Sequence, residues 1–203
     1  LWAIDEKSNV TFPNYVVTED DDRDDLEKKI IRMITRIMFV WFIKQKDLIS
    51  SWIFDKDQLK NILADFEPTS KTKGNYYNAV IQNLFFAILN KAIPERSFTK
   101  ENPKDQYGIK AYYRDQKPSL FNVKPEEVIK LFEPVPFLNG GLFECLDKME
   151  DTANGGKTTQ KYVDGFSREE SRCAKIPNAL FWNEETDEHE GLISLLSRYN
   201  FTV

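Results

Sequence analysis

The chain has 203 residues, of which 41% are hydrophobic and 30% charged, and its formal net charge is -5. This composition excludes collagen-like, low-complexity and largely disordered proteins, and the length suffices to bury roughly two-thirds of the unfolded surface. The longest apolar run, 37–43, falls far short of the ~18 residues of a membrane span, so no membrane partner is expected.

Residues 1–21 read as an extended lead-in, where Pro13 argues against a central strand. The run 19–25 holds six carboxylates and one arginine. Negative charge there favours the positive end of a helix dipole, with Asp21 or Asp22 as N-cap. Leu26, Ile30, Met33, Ile34, Ile37, Met38 and Trp41 then recur at three- and four-residue steps, predicting a helix of roughly 25 residues, ~37 Å long. Lys28, Lys29, Arg32, Thr35 and Arg36 occupy the other face. Over 37–43 the pattern is apolar all round, as in a helix at the middle of a bundle or at an interface. A short helix follows at 57–66, then a polar connector, then a strong helix over about 75–91 that Pro94 ends.

Residues 95–122 are irregular and polar. Between 96 and 117, six Lys/Arg stand against three Asp/Glu, a local charge of +3, with aromatics interleaved. Basic side chains hold phosphates and aromatics stack on bases, so Lys110, Tyr112, Tyr113, Arg114 and Lys117 are candidates for DNA contact. The alternative is a solvated loop whose aromatics pack on the helices. Pro125 opens a short helix reaching about Phe132. Asn139-Gly140-Gly141, with Phe143 just beyond, forms a turn motif in which both glycines permit positive φ. Asn154-Gly155-Gly156 predicts a hairpin turn between short polar arms within 150–175. Residues 176–182 form a compact apolar anchor, and a last helix is expected over 191–198.

The expected class is therefore mainly α: an irregular helical bundle with long loops and at most a small β-hairpin. The chain reads as a single helical domain or connector, with the lead-in at 1–21, core helices at 22–94, the basic loop at 95–122, and short helices, turn and loops at 123–203.

Catalytic patterns are missing from the sequence. One histidine and two cysteines, with no CxxC or HExxH, give no structural zinc pattern. Cys145 and Cys173 read as reduced thiols, and His189 as a solvated loop residue. Neither GxGxxG nor GxxxxGK[ST] nor GxSxG occurs. Glu27-Lys28-Lys29 supplies only half of a nuclease metal motif, and on a helix. Asn102-Pro103-Lys104-Asp105 lacks the second proline and the aromatic of an adenine-methylation tetrapeptide. No catalytic, cofactor-binding or metal-binding residue is assigned.

Several stretches together resemble one family: residues 36–46, residues 76–86, Pro136-Phe137-Leu138-Asn139-Gly140-Gly141-Leu142-Phe143-Glu144-Cys145-Leu146-Asp147, Asp164-Gly165-Phe166-Ser167, Ile176-Pro177, and residues 196–203. In this order they are similar to the helical segment of type IIG restriction–modification enzymes and related adenine-specific DNA methyltransferases. The resemblance implies a segment lying before the methyltransferase domain, with the nuclease domain, where one exists, further toward the N-terminus. The start at Leu1 and the extended ending agree with a piece of a longer chain. The implied activity then belongs to a bacterial, cytoplasmic parent. This segment would carry no cofactor; the parent would use S-adenosylmethionine and, where it cleaves, Mg²⁺. Its implied partners are DNA, through the parent, and the methyltransferase and nuclease domains. A protein-interaction module, or a divergent metal-dependent nuclease using the acidic run, are the alternatives.

Overall fold

The structure is a computed structural model that describes residues 9–13, 20–99, 112–138, 140–151, 158–184 and 190–199. Helix α1 (Asp20–Lys44) has the 25 residues that its periodicity predicts. It begins inside the acidic run, so Asp21 and Asp22 are helical residues and not the N-cap. Leu26, Ile30, Met33, Ile37, Val40, Trp41 and Ile43 are buried. Two expectations for this helix are corrected. Lys29 and Arg36, placed on the solvent face, are buried, whereas Met38, Phe39 and Phe42 are exposed. α1 is thus a flank of the core and not its middle.

Helix α2 (Lys56–Ile62) starts where the Asp55 carboxylate accepts from the N–H groups of Asp57 and Gln58, at 2.9 and 3.1 Å. It stops four residues earlier than expected because Leu63 turns extended and forms an antiparallel bridge with Phe121. There the Ala64 N–H donates to Leu120 O (2.9 Å) and the Asn122 N–H to Ile62 O (2.8 Å).

The middle of the molecule is the helix over 75–89. Its turns widen to π-type over Tyr77–Ile81 and Leu84–Leu89; the Gln82 N–H reaches back five residues to Tyr77 O. From Tyr76 to Leu89 every side chain but the partly buried Asn78 is buried, as for a helix surrounded on all sides. Both ends need outside partners, since terminal N–H and C=O groups have none within a helix. At the start, Asn178 Oδ1 accepts from the Tyr76 N–H (3.2 Å), while its Nδ2 donates to Glu67 O and Asn75 Oδ1. At the far end, the buried Arg96 donates to Ile88 O, Lys91 O, Phe132 O and Val135 O, at 2.8–3.2 Å. Pro94 lies in a separate 3₁₀ turn (Ile93–Glu95) beyond that end.

Helix α3 (Pro125–Phe132) has the predicted bounds. Strands β1 (Lys148–Asp151) and β2 (Thr158–Lys161) pair antiparallel, Lys148 opposite Lys161 and Asp151 opposite Thr158. This is the expected small hairpin, although its turn at 154–156 lies outside the described residues. The anchor forms helix α4 (Ala179–Trp182) and packs with helix α5 (Leu192–Ser197). Tyr76, Phe181 and Trp182 meet edge to face, with ring centroids 5.1–5.2 Å apart. The fold is mainly α, with the two short strands as the sheet among the described residues. No helix among the described residues is long and apolar enough to cross a membrane.

Candidate functional site

The DNA-contact candidates do not share one surface. Tyr113 is fully buried; its ring stacks on Phe98 (5.1 Å, 24°), and its backbone bridges the same residue. Arg114 lies 4.9 Å over the Phe166 ring, donates to Thr99 Oγ1 (2.9 Å), and has its backbone N–H and C=O bonded by the Asn83 amide. Burial holds its guanidinium below the usual arginine range. Both candidates therefore face the core, so Tyr113 is no stacking platform for a base. Tyr112 is partly exposed, with Lys91 Nζ 3.6 Å over its ring, and Lys117 is exposed. Lys110 lies outside the described residues.

The turn motif is also corrected. Gly140 is extended (φ −141) and Gly141 opens a 3₁₀ turn (Gly141–Phe143); neither adopts positive φ. Asn139 lies outside the described residues. Among the described residues the left-handed glycine is instead Gly165 (φ +66), where a Cβ would come within 2.5 Å of the Ala174 nitrogen. Phe143 is buried against Phe85.

The structure shows what the turn does. Arg36 donates from Nε to Leu142 O (2.7 Å), from Nη2 to Glu144 O (2.8 Å) and from Nη1 to Asp164 Oδ1 (2.9 Å). Its guanidinium also sits 5.0 Å over the Phe86 ring. Arg36 is 2% exposed and Asp164 5%, so this is a buried ion pair. Asp164 Oδ2 accepts from the Leu146 N–H (2.7 Å). Beside it, the Asp147 carboxylate accepts from four successive N–H groups, those of Val163, Asp164, Gly165 and Phe166, at 2.5–3.1 Å. Gln82 Nε2 donates to Asp164 O and Gly165 O, at 2.9 and 3.3 Å. Four of the stretches that carry the family resemblance thus converge on one buried polar hub: Arg36, Gln82, Leu142 to Asp147, and Asp164 to Phe166.

Sequence reasoning missed this hub, treating Arg36 as solvent-facing. The available signal was angular: Arg36 sits one turn before Val40 and next to Ile37, at the edge of the apolar stripe.

Cys145 Sγ and carboxylate oxygens of Asp147 and Asp164 lie within 4.8 Å of one another, a spacing that could hold a cation. Their lone pairs already serve the fold. A cation there would share Asp164 with the Arg36 guanidinium and Asp147 with four backbone N–H groups. Burial, reinforced by the charges of Asp147 and Asp164, pushes the Cys145 thiol far up. Burial likewise pushes Cys173 up to about 11. Both are free thiols. At pH 8 their reaction with a disulfide reagent is expected to be about a hundredfold slower in the folded chain than in denaturant. Equal rates would show that these thiols are open to solvent.

The chain is similar to a Methanocaldococcus jannaschii protein named as a type II restriction enzyme and methyltransferase, with 25% identity over 180 residues. The match takes in 88% of this chain but 10% of that protein, so the chain spans about a tenth of its relative's length. No family model and no solved structure matches the chain.

Proposed function

We propose that the chain is a non-catalytic helical connector of a restriction–modification enzyme. In this reading the whole enzyme methylates adenine in DNA with S-adenosylmethionine, and cuts DNA with Mg²⁺ where a nuclease domain is present. The observation that carries the reading is the similarity over 180 residues to one-tenth of a protein named for both activities. The hub supports it. Its ionisable groups are bonded to one another and to backbone, an arrangement suited to holding loops on a core rather than to moving protons. The part left for DNA is sequence-independent contact through Lys110, Tyr112 and Lys117, with Tyr113 and Arg114 serving the fold.

The test is DNA affinity of the intact enzyme against salt concentration. Lys110→Ala with Lys117→Ala is expected to weaken binding to every sequence alike and to lower the salt slope by about two. An unchanged slope would remove this segment from the DNA footprint. A gene with no Asn-Pro-Pro-Tyr/Phe coding downstream of Val203 would overturn the connector reading itself. A protein-interaction role is the second reading, favoured by the exposed apolar side chains of α1.

A further inference from the structure

Asp164-Gly165 is the one Asp-Gly step in the sequence. Such a step carries a chemistry of its own. The backbone nitrogen after an aspartate can attack the aspartate Cγ, and glycine, with no Cβ, leaves that nitrogen unshielded. A five-membered succinimide forms as an N–Cγ bond replaces a Cγ–O bond and water departs. Water then reopens the ring. Opening at the main-chain carbonyl of the former aspartate leaves isoaspartate: the backbone now runs through Cγ and is one methylene longer, and the free carboxylate sits directly on Cα. One water leaves and one returns, so the mass of the chain is unchanged.

The hub engages both reacting groups. Asp164 Oδ1 accepts from Arg36 Nη1 (2.9 Å) and Oδ2 from the Leu146 N–H (2.7 Å), so whichever oxygen would leave as water is already bonded. The Gly165 N–H belongs to the attacking nitrogen and donates to Asp147 Oδ1 (3.1 Å). The Asp164 N–H donates to the same oxygen (2.6 Å), and Asp164 O accepts from Gln82 Nε2 (2.9 Å). The peptide planes on both sides of Asp164 are therefore held, and closing the ring means breaking these bonds. We propose that Asp164 is a self-modification site that the hub keeps shut: when the hub opens, Asp164 cyclises onto the Gly165 nitrogen and ages to isoaspartate. The longer backbone and shortened carboxylate cannot remake the contacts to Arg36, Leu146 and Asp147. A reversible opening thus becomes a permanent loss of the hub.

Trypsin cuts after Lys161 and Arg168 and isolates residues 162–168. Chromatography against synthetic peptides separates their aspartate and isoaspartate forms. The chain aged at neutral pH is expected to accumulate isoaspartate in this peptide at least about tenfold more slowly when folded than in guanidinium chloride, because only the opened population reacts. Asp164→Glu, whose side chain is one carbon too long for the five-membered ring, should leave the peptide unmodified in guanidinium. Arg36→Met releases one Asp164 oxygen and should age faster than the parent chain in native buffer, with Arg36→Lys between the two. Chain aged in guanidinium and returned to buffer should recover its folded tryptophan fluorescence only in the fraction that still holds aspartate at 164. Equal ageing rates with and without guanidinium, a comparison that needs no variant to fold, would overturn the proposal. So would an absence of isoaspartate in guanidinium, a folded Arg36→Met chain that ages at the parent rate, or full refolding of chains that carry isoaspartate.

Discussion

Arg36→Met is expected to destabilise the fold by about 3–5 kcal/mol, the usual cost of leaving a buried charge without its partner. Methionine keeps much of the aliphatic bulk against Phe86 but donates nothing. Asp164 would then lose its buried cation, and Leu142 O and Glu144 O would lose their donors. Arg36→Lys should recover only part of the loss, because an ammonium cannot reproduce the planar fork that reaches three acceptors in different directions. Urea unfolding monitored by tryptophan fluorescence measures the effect. A loss below about 1 kcal/mol would mean that the hub is open to water and that the ion pair behaves like a surface one. The double variant Arg36→Met with Asp164→Asn should cost less than the sum of the two single changes, since the residues share one interaction.

Asp147→Ala should cost a similar amount, about 3–5 kcal/mol, for a different reason: it removes no cation but orphans four neighbouring N–H donors. The pH dependence separates this site from an ordinary carboxylate. Burial pushes the Asp147 carboxyl up, and its backbone N–H donors pull it back without cancelling the rise. A carboxyl raised in the folded state contributes stability that is fully present below the ordinary aspartate value and is lost as pH rises through the raised one. The penalty of Asp147→Ala should therefore grow as pH is lowered from 7 toward 4. A penalty that shrinks over that range would show that the four donors outweigh desolvation. If Asp147→Ala fails to fold, the same comparison made with Asp147→Asn, which keeps one acceptor oxygen, reads the same sign.

Local elements were well marked in the residues. The seven-residue apolar set of α1, the proline opening α3, and the Asn-Gly-Gly between polar arms each depend on neighbours within a few positions. Such signals survive without knowledge of the fold. The end of α2 was less legible, because what stops it at Ile62 is a bridge to Phe121, 58 positions after Leu63. The wide turns of the central helix were not legible either. Tyr77 to Leu89 has helical spacing and an unbroken apolar run at 84–89 that fits burial on every side, but nothing in it announces π-type bonding.

The candidate site shows the same division. Charge and aromatic content left 96–117 open between a surface for DNA and a loop whose aromatics pack on the helices, because composition cannot say which way a side chain points. Tyr113 and Arg114 turned inward because Phe98, Phe166 and Asn83 offered them partners from distant parts of the chain. The glycines of the 140–141 turn permit a positive φ that the fold does not use. Their neighbourhood matters instead for two carbonyls that hold Arg36, a residue more than a hundred positions earlier.

The sequence by itself determined the mainly α class, the extent of its longest helix and the likeness to restriction–modification proteins, since these follow from periodicity and ordered local motifs. The tertiary structure alone decided which polar residues enter the core and which apolar ones stay outside. Burying Arg36, Asp147 and Asp164 is tolerable only because donors and acceptors from four separate segments arrive at one point. Met38, Phe39 and Phe42 stay exposed because the helix over 75–89, and not α1, fills the centre.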